Sequence, residues 1–102
     1  MEIIKGKNKF AILSEDHSLM GEISYDIDPD GVMVAQRTYV DHEYRGLGLA
    51  RILVDTLVAE ARRRGIKIVP CCSYVYKIFV ENVEYADIWD KNSKKQQITC
   101  SL

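Results

Sequence analysis

Two short stretches carry residue types that do chemistry. The first is Tyr44-Arg45-Gly46-Leu47-Gly48-Leu49-Ala50-Arg51, in which two glycines one residue apart are bracketed by arginines. A helical pattern begins directly after them. The first turn of a helix has backbone N–H groups without intrahelical partners and carries the positive end of the macrodipole. Glycines in front of it let a ligand approach that backbone, so an anion such as phosphate suits the pattern. The Lys-Ser/Thr of a P-loop is missing, and Arg51 stands where a dinucleotide fingerprint needs its last glycine. Taken alone, the two glycines fit a tight turn equally well. The second stretch is Pro70-Cys71-Cys72-Ser73-Tyr74-Val75. A thiol between a strand end and a helix start sits where electrostatics favour thiolate, whereas the bland alternative for Cys72 is a buried small hydrophobe.

The elements that must position these residues follow from periodicity. Residues 9–13 and 19–27 have strand character, and Asp28-Pro29-Asp30-Gly31 is a strong turn. Residues 32–40, rich in Val, Thr and Tyr, make a third strand, and the three form an antiparallel meander. From 49 to 64 the period changes: Leu49, Ile52, Leu53, Leu57 and Ala61 recur at helical spacing. Arg62-Arg63-Arg64 suits the negative end of that helix, and Gly65 suits its αL terminator. Residues 66–69 form a short strand closed by Pro70, parallel to the third strand across a right-handed crossover. Ser73 is the expected N-cap of a helix over 74–81, and the aromatic stretch 83–89 packs back on the body. The expected fold is thus α/β (α+β): a meander, a β-α-β crossover carrying the glycine loop, and a short C-terminal helix.

Composition narrows the function classes. The chain has 102 residues, 47% of them aliphatic, aromatic or Cys, and a formal net charge of −1. One domain over 1–90 is expected, with a flexible tail over 91–102, where no apolar residue occurs before Ile98. Nothing in the overall charge points to nucleic acid or an anionic membrane. Locally, residues 11–43 hold one Arg against eight acids, while 44–67 hold six Lys/Arg against two. No segment approaches the ~20 apolar residues of a membrane span. Three cysteines, two of them adjacent, suggest a reduced, cytoplasmic protein. His17 and His42 stand alone, and no Cys/His spacing suits a metal.

Residues 40–50 resemble the acyl-CoA signature of the Gcn5-related N-acetyltransferases. That signature reads Arg/Gln-x-x-Gly-x-Gly/Ala and is filled here by Arg45, Gly48 and Ala50. The resemblance implies that Arg45, Gly46, Leu47, Gly48, Leu49, Ala50 and Arg51 hold the CoA pyrophosphate. It also implies that the preceding strand splays from its parallel neighbour, so that the backbone of Thr38, Tyr39 and Val40 pairs with the pantetheine arm. The stretch from Pro70 to Val75 is similar to a second signature, Pro-x-Cys-Ser/Pro-Tyr/Phe-Val, found in a compact single-domain branch of the superfamily. Glu84-Tyr85-Ala86-Asp87 follows at the expected distance.

What the resemblance implies is acetyl transfer from acetyl-CoA to an amine on a small molecule or peptide, by a monomer or weak dimer. Transfer needs a polarised thioester carbonyl, a deprotonated amine and a protonated leaving thiolate. An N–H within 38–40 suits the first task. Related enzymes carry a tyrosine for the last, which points to Tyr74 or Tyr76, although packing explains both equally. No motif places the base among Glu22, Asp41, His42 and Glu43. Cys72 holds the motif cysteine of the compact branch, at the acyl end. A non-catalytic module that binds CoA or acyl-CoA is the second class, and a thioesterase-like activity through Cys72 the third.

Overall fold

The structure is a computed structural model and describes residues 1–91. Its centre is a five-stranded sheet in simple order: β1 (Glu2–Gly6), β2 (Lys9–Leu13), β3 (Leu19–Ile27), β4 (Met33–Val40) and β5 (Ile68–Pro70). The first four strands pair antiparallel and β4 pairs parallel with β5. Among the described residues the helices are α1 (Leu49–Arg64) and α2 (Ser73–Glu81), with 3₁₀ turns at His42–Tyr44 and Val83–Tyr85.

Pleat alternation decides which side chains meet α1. Phe10 and Ile12, Ile23 and Tyr25, and Met33 and Ala35 are buried at every second position of β2, β3 and β4. Against them α1 buries Leu49, Leu53, Leu57 and Ala61 at four-residue spacing, with Val54 and Val58 beside them. Ile52, expected in that stripe, is only half-buried. Val75, Ile78 and Phe79 of α2 extend the same core.

Three local details differ from the sequence reading. The meander has four strands, because β1 adds an edge strand. Its five residues lack alternation and four are exposed, so no pattern marks them. The last strand begins at Ile68 rather than Ile66. Gly65 adopts φ 69° and donates to Arg62, and the Ile66 N–H returns to the Ala61 carbonyl. That Schellman closure keeps Ile66 out of the sheet. Finally, Cys72 rather than Ser73 is the N-cap of α2, since its carbonyl already accepts the Tyr76 N–H at 2.9 Å. The tail expected over 91–102 lies, from residue 92 onward, outside the described residues.

Glu60 explains how the edge strand is fastened. Its carboxylate is 9% exposed and accepts from Lys5 of β1 and from Arg63 and Arg64 of α1, each at 2.8–3.0 Å. Hydrogen bonds from Arg63 and Lys5 hold it well below the usual carboxylate range, against the opposing effect of burial. Glu60→Gln is expected to cost about 1–2 kcal/mol at pH 7. The cations keep 31–66% of their side chains in solvent, which argues for the lower part of the range. Because the folded-state value is depressed, the stabilisation is complete above the ordinary pKa of about 4.3 and is lost as pH falls below it. Urea melts of the two proteins should therefore converge between pH 5 and strongly acid conditions. A gap unchanged by pH would show that the charge is not what holds Lys5.

Candidate active site

β4 outruns its parallel neighbour. Pairing with β5 ends at Ala35↔Pro70, whereas β4 continues to Val40. Ser24 pairs with Arg37 and Tyr25 with Ala35, so Gln36 is an extra residue, a β-bulge that bends β4 where β5 stops. The chain leaving β5 turns away at once. The Cys71 N–H bonds to Val69, and the Cys72 N–H caps the Ala35 carbonyl at 2.9 Å. Beyond that bond no described strand pairs with the β5 side of β4 over 36–40.

The bulge also sets side-chain direction. Thr38 lies opposite Ile23, on the face that packs against α1, and Tyr39 opposite Glu22, on the other face. The Thr38 Oγ1 lies 3.4 Å from the Cys72 Sγ, bringing together residues 34 apart in the chain. Cys72 is a free, half-buried thiol at the head of α2. Cys71 is disulfide-bonded, so the expectation of three reduced cysteines does not hold. Tyr74, in the first turn of α2, packs against the core. Burial pushes its phenol above the ordinary value; Arg51 opposes that shift, and Asp55 and Cys72 add to it. Tyr76 is instead exposed and packs edge-on against Trp89.

At the other end of the free stretch is the glycine loop. Gly46 and Gly48 have φ of 85° and 77°, and a Cβ built on either would meet nothing within 4 Å. Gly48 is the N-cap of α1, with no side chain to satisfy the first N–H groups and no acid in the first turn. Val40, Tyr44, Arg45, Gly46, Gly48, Leu49 and Ala50 line a cavity of about 190 Å³ over this helix end. Leu47 points outward, 62% exposed. Arg45 is exposed and donates through Nε to the Val40 carbonyl at 3.0 Å.

The Arg51 side chain is engaged away from the cavity lining. It donates to the Tyr85 hydroxyl at 2.7 Å and to Glu84 at 2.8 Å, and its guanidinium lies 5.3 Å from the centre of the Tyr85 ring. Arg62 binds Asp87 and the Glu84 carbonyl from the same helix. Eleven residues are three helical turns, so the two arginines share a face and latch the 84–87 segment onto α1. The Tyr39 side chain likewise faces away, donating to Asp41 at 3.2 Å. Only its backbone is at the splay. Among the candidate bases, Asp41 caps the turn at His42–Tyr44, while His42 and Glu43 are exposed. Glu22 lies 3.9 Å from Lys9. The Tyr85 network, which also joins the Tyr85 hydroxyl to Asp55 at 2.5 Å, carried no signal beyond the bare Glu-Tyr-Ala-Asp string.

A strand that outruns its parallel neighbour, a glycine-capped helix and a cavity on that helix end are features that suit an anionic, elongated ligand. A model of the GCN5-related N-acetyltransferase family matches residues 9–88. The chain belongs to this family. As a GNAT protein it is an acetyltransferase with the family's mixed α+β fold. It is similar over 87% of both chains, at 28% identity and a TM-score of 0.73, to a GCN5-like protein from Staphylococcus aureus assigned as an N-acetyltransferase, whose solution structure was determined by NMR. Partial matches extend to an assigned acetyltransferase from Pyrococcus furiosus (31% identity, 59% of this chain and 44% of that one) and to a ribosomal-protein-alanine N-acetyltransferase from Brucella melitensis biovar Abortus 2308 (24% identity, 61% and 48%). Both have TM-scores of 0.48, and this chain spans under half of each. Among the described residues no helix is long and apolar enough to cross a membrane, and no group of three or more His, Cys, Asp or Glu is placed to hold a metal.

Proposed function

We propose that this GNAT protein moves acetyl from acetyl-CoA to an amine of a small molecule or peptide, with Cys72 at the acyl end. One observation carries the reading: the edge of β4 that no described strand pairs has the glycine-loop cavity at its Val40 end and Cys72 beside Thr38. Two residues of extended strand, roughly 7 Å, separate these positions, so one extended ligand reaches both. The pyrophosphate takes the N–H groups over 46–50, with Arg45 adding charge from the rim. The pantetheine arm runs along the backbone of 38–40.

The chemistry balances with this chain's own groups. Cys72 as thiolate attacks the thioester carbonyl, whose developing oxyanion faces the N–H groups of 38–40. The carbon–sulfur bond to CoA breaks, and the departing thiolate takes the phenolic proton of Tyr74. The neutral amine then attacks the acetyl on Cys72, expels the Cys72 thiolate and returns one proton to Tyr74. Burial that keeps the Tyr74 phenol protonated supports the donor role.

Titrating CoA into labelled protein should move the amide signals of 38–40 and 45–50. Arg51, held by Tyr85 and Glu84, should respond through its backbone alone, with its side-chain Nε–H signal unmoved. Shifts confined to β1 and the β1–β2 turn would remove the site. Free thiol released from acetyl-CoA only when amine is present separates transfer from mere binding. A panel of polyamines, amino acids and peptides identifies the acceptor class.

A further inference from the structure

We infer that Thr38 is a positioning residue for Cys72, holding its sulfur at the mouth of the β4–β5 splay through the Thr38 hydroxyl. The inference rests on the reading of Cys72 as the acyl-end thiol and adds to it how the thiol is placed.

The contact is built by features that do not otherwise require one another. The bulge at Gln36 resets β4, so that Thr38 lies opposite the fully buried Ile23 and faces the α1 side. Without that extra residue the side chain at 38 would turn to the other face. Independently, the Cys72 N–H bonds to the Ala35 carbonyl and fixes the Cys72 backbone three residues from Thr38 along the strand. The N-cap side chain of α2 makes no capping hydrogen bond, so its sulfur is left for Oγ1 at 3.4 Å. Either atom can donate while the thiol is protonated. Once it is ionised the sulfur only accepts, and the hydroxyl must be the donor. The Thr38 hydroxyl therefore fixes the direction of the sulfur. A β-branched residue is stiff at χ1, so the donor is pre-aimed. The other titratable and charged groups coupled to this corner are Tyr74 of α2 and, through it, Arg51 and Asp55 of α1. None of them hydrogen-bonds the sulfur among the described contacts.

The test needs no acetyl-CoA. Iodoacetamide alkylation of Cys72 at neutral pH is followed by fragment mass spectrometry for wild type, Thr38→Val and Thr38→Ser. Thr38→Val keeps the β-branched shape but not the hydroxyl. It should slow alkylation about tenfold, as expected for loss of a hydrogen bond to a charged group. Thr38→Ser should restore the rate to within about twofold. Equal rates for wild type and Thr38→Val would overturn the inference, as would Thr38→Ser behaving like Thr38→Val. Should Thr38→Val not fold, Thr38→Ala carries the same comparison against Thr38→Ser. A separate incubation with acetyl-CoA reports whether Cys72 accepts acetyl. Failure there with the alkylation result intact sinks the nucleophile reading and leaves the positioning role of Thr38 standing.

Discussion

Cys72→Ser is expected to slow acetyl transfer by roughly 10²-fold or more while CoA affinity stays within about twofold. A serine hydroxyl is a far weaker nucleophile than a thiolate, and among the described residues the side-chain partner at this position is the Thr38 hydroxyl, which is no base. Wild-type protein incubated with acetyl-CoA alone should carry one acetyl group on Cys72, seen by intact mass and located by fragmentation. The Ser variant should carry none. Cys72 lies more than 20 residues beyond the glycine cavity in sequence and is not among the residues that line it. Affinity for CoA and turnover should therefore separate. Cys72→Ala tests the bland alternative. If the thiol only fills space, that variant loses some stability and keeps full turnover, and transfer then proceeds directly from CoA to the amine. A partial loss without an adduct would mark the sulfur as lining the acyl site rather than carrying the acyl group.

Gly48→Ala should weaken CoA binding by about tenfold or more and lower Tm by only a few degrees. The two effects have different origins. With φ at 77° an alanine there is strained by about 1 kcal/mol or somewhat more, which corresponds to roughly 4–8 °C. The added Cβ meets no protein atom within 4 Å, so the free protein gives no steric reason for a larger loss. The space it enters is the opening over the first turn of α1, where a phosphate needs bare backbone. Gly48→Val, a β-branched residue in αL, would confuse strain with ligand exclusion. The matched control is Gly31→Ala. Gly31 has φ 83° and the same empty surroundings, but sits in the β3–β4 turn at the opposite end of β4. It should show a similar Tm loss and unchanged CoA affinity. Equal loss of affinity in both variants would mean that the loop merely transmits strain.

Several elements were legible to the residue because their signals are local. β2, β3 and α1 have the bounds that periodicity predicts. An alternating or 3.6-residue pattern needs no knowledge of the rest of the fold. The strand β1 has no such pattern: among the described strands it lies at the sheet edge and pairs with β2, and it is tied down by Lys5 to a glutamate 55 residues away. Ile66 looks like strand from composition, and the helix stop that claims its N–H is a backbone geometry that side-chain pattern does not report.

The sequence by itself determined that a glycine-interrupted loop precedes a long helix and that a cysteine sits between a strand end and a second helix, and the two stretches resemble two separate signatures of the Gcn5-related N-acetyltransferases. Each is a matter of residue type at short spacing. Tertiary structure alone decided what those residues face. Arg51 reads as a phosphate ligand beside the glycines, yet the 84–87 segment folds over α1 and its tyrosine and glutamate bind the guanidinium first. Tyr39 and Thr38 are neighbours, but a single bulged residue upstream sends one side chain away from the splay and the other toward Cys72. Side-chain direction in a sheet has a period of two, so one extra residue reverses every assignment after it. Whether that residue is present depends on how β4 registers against β3, a long-range pairing rather than a property of the stretch itself.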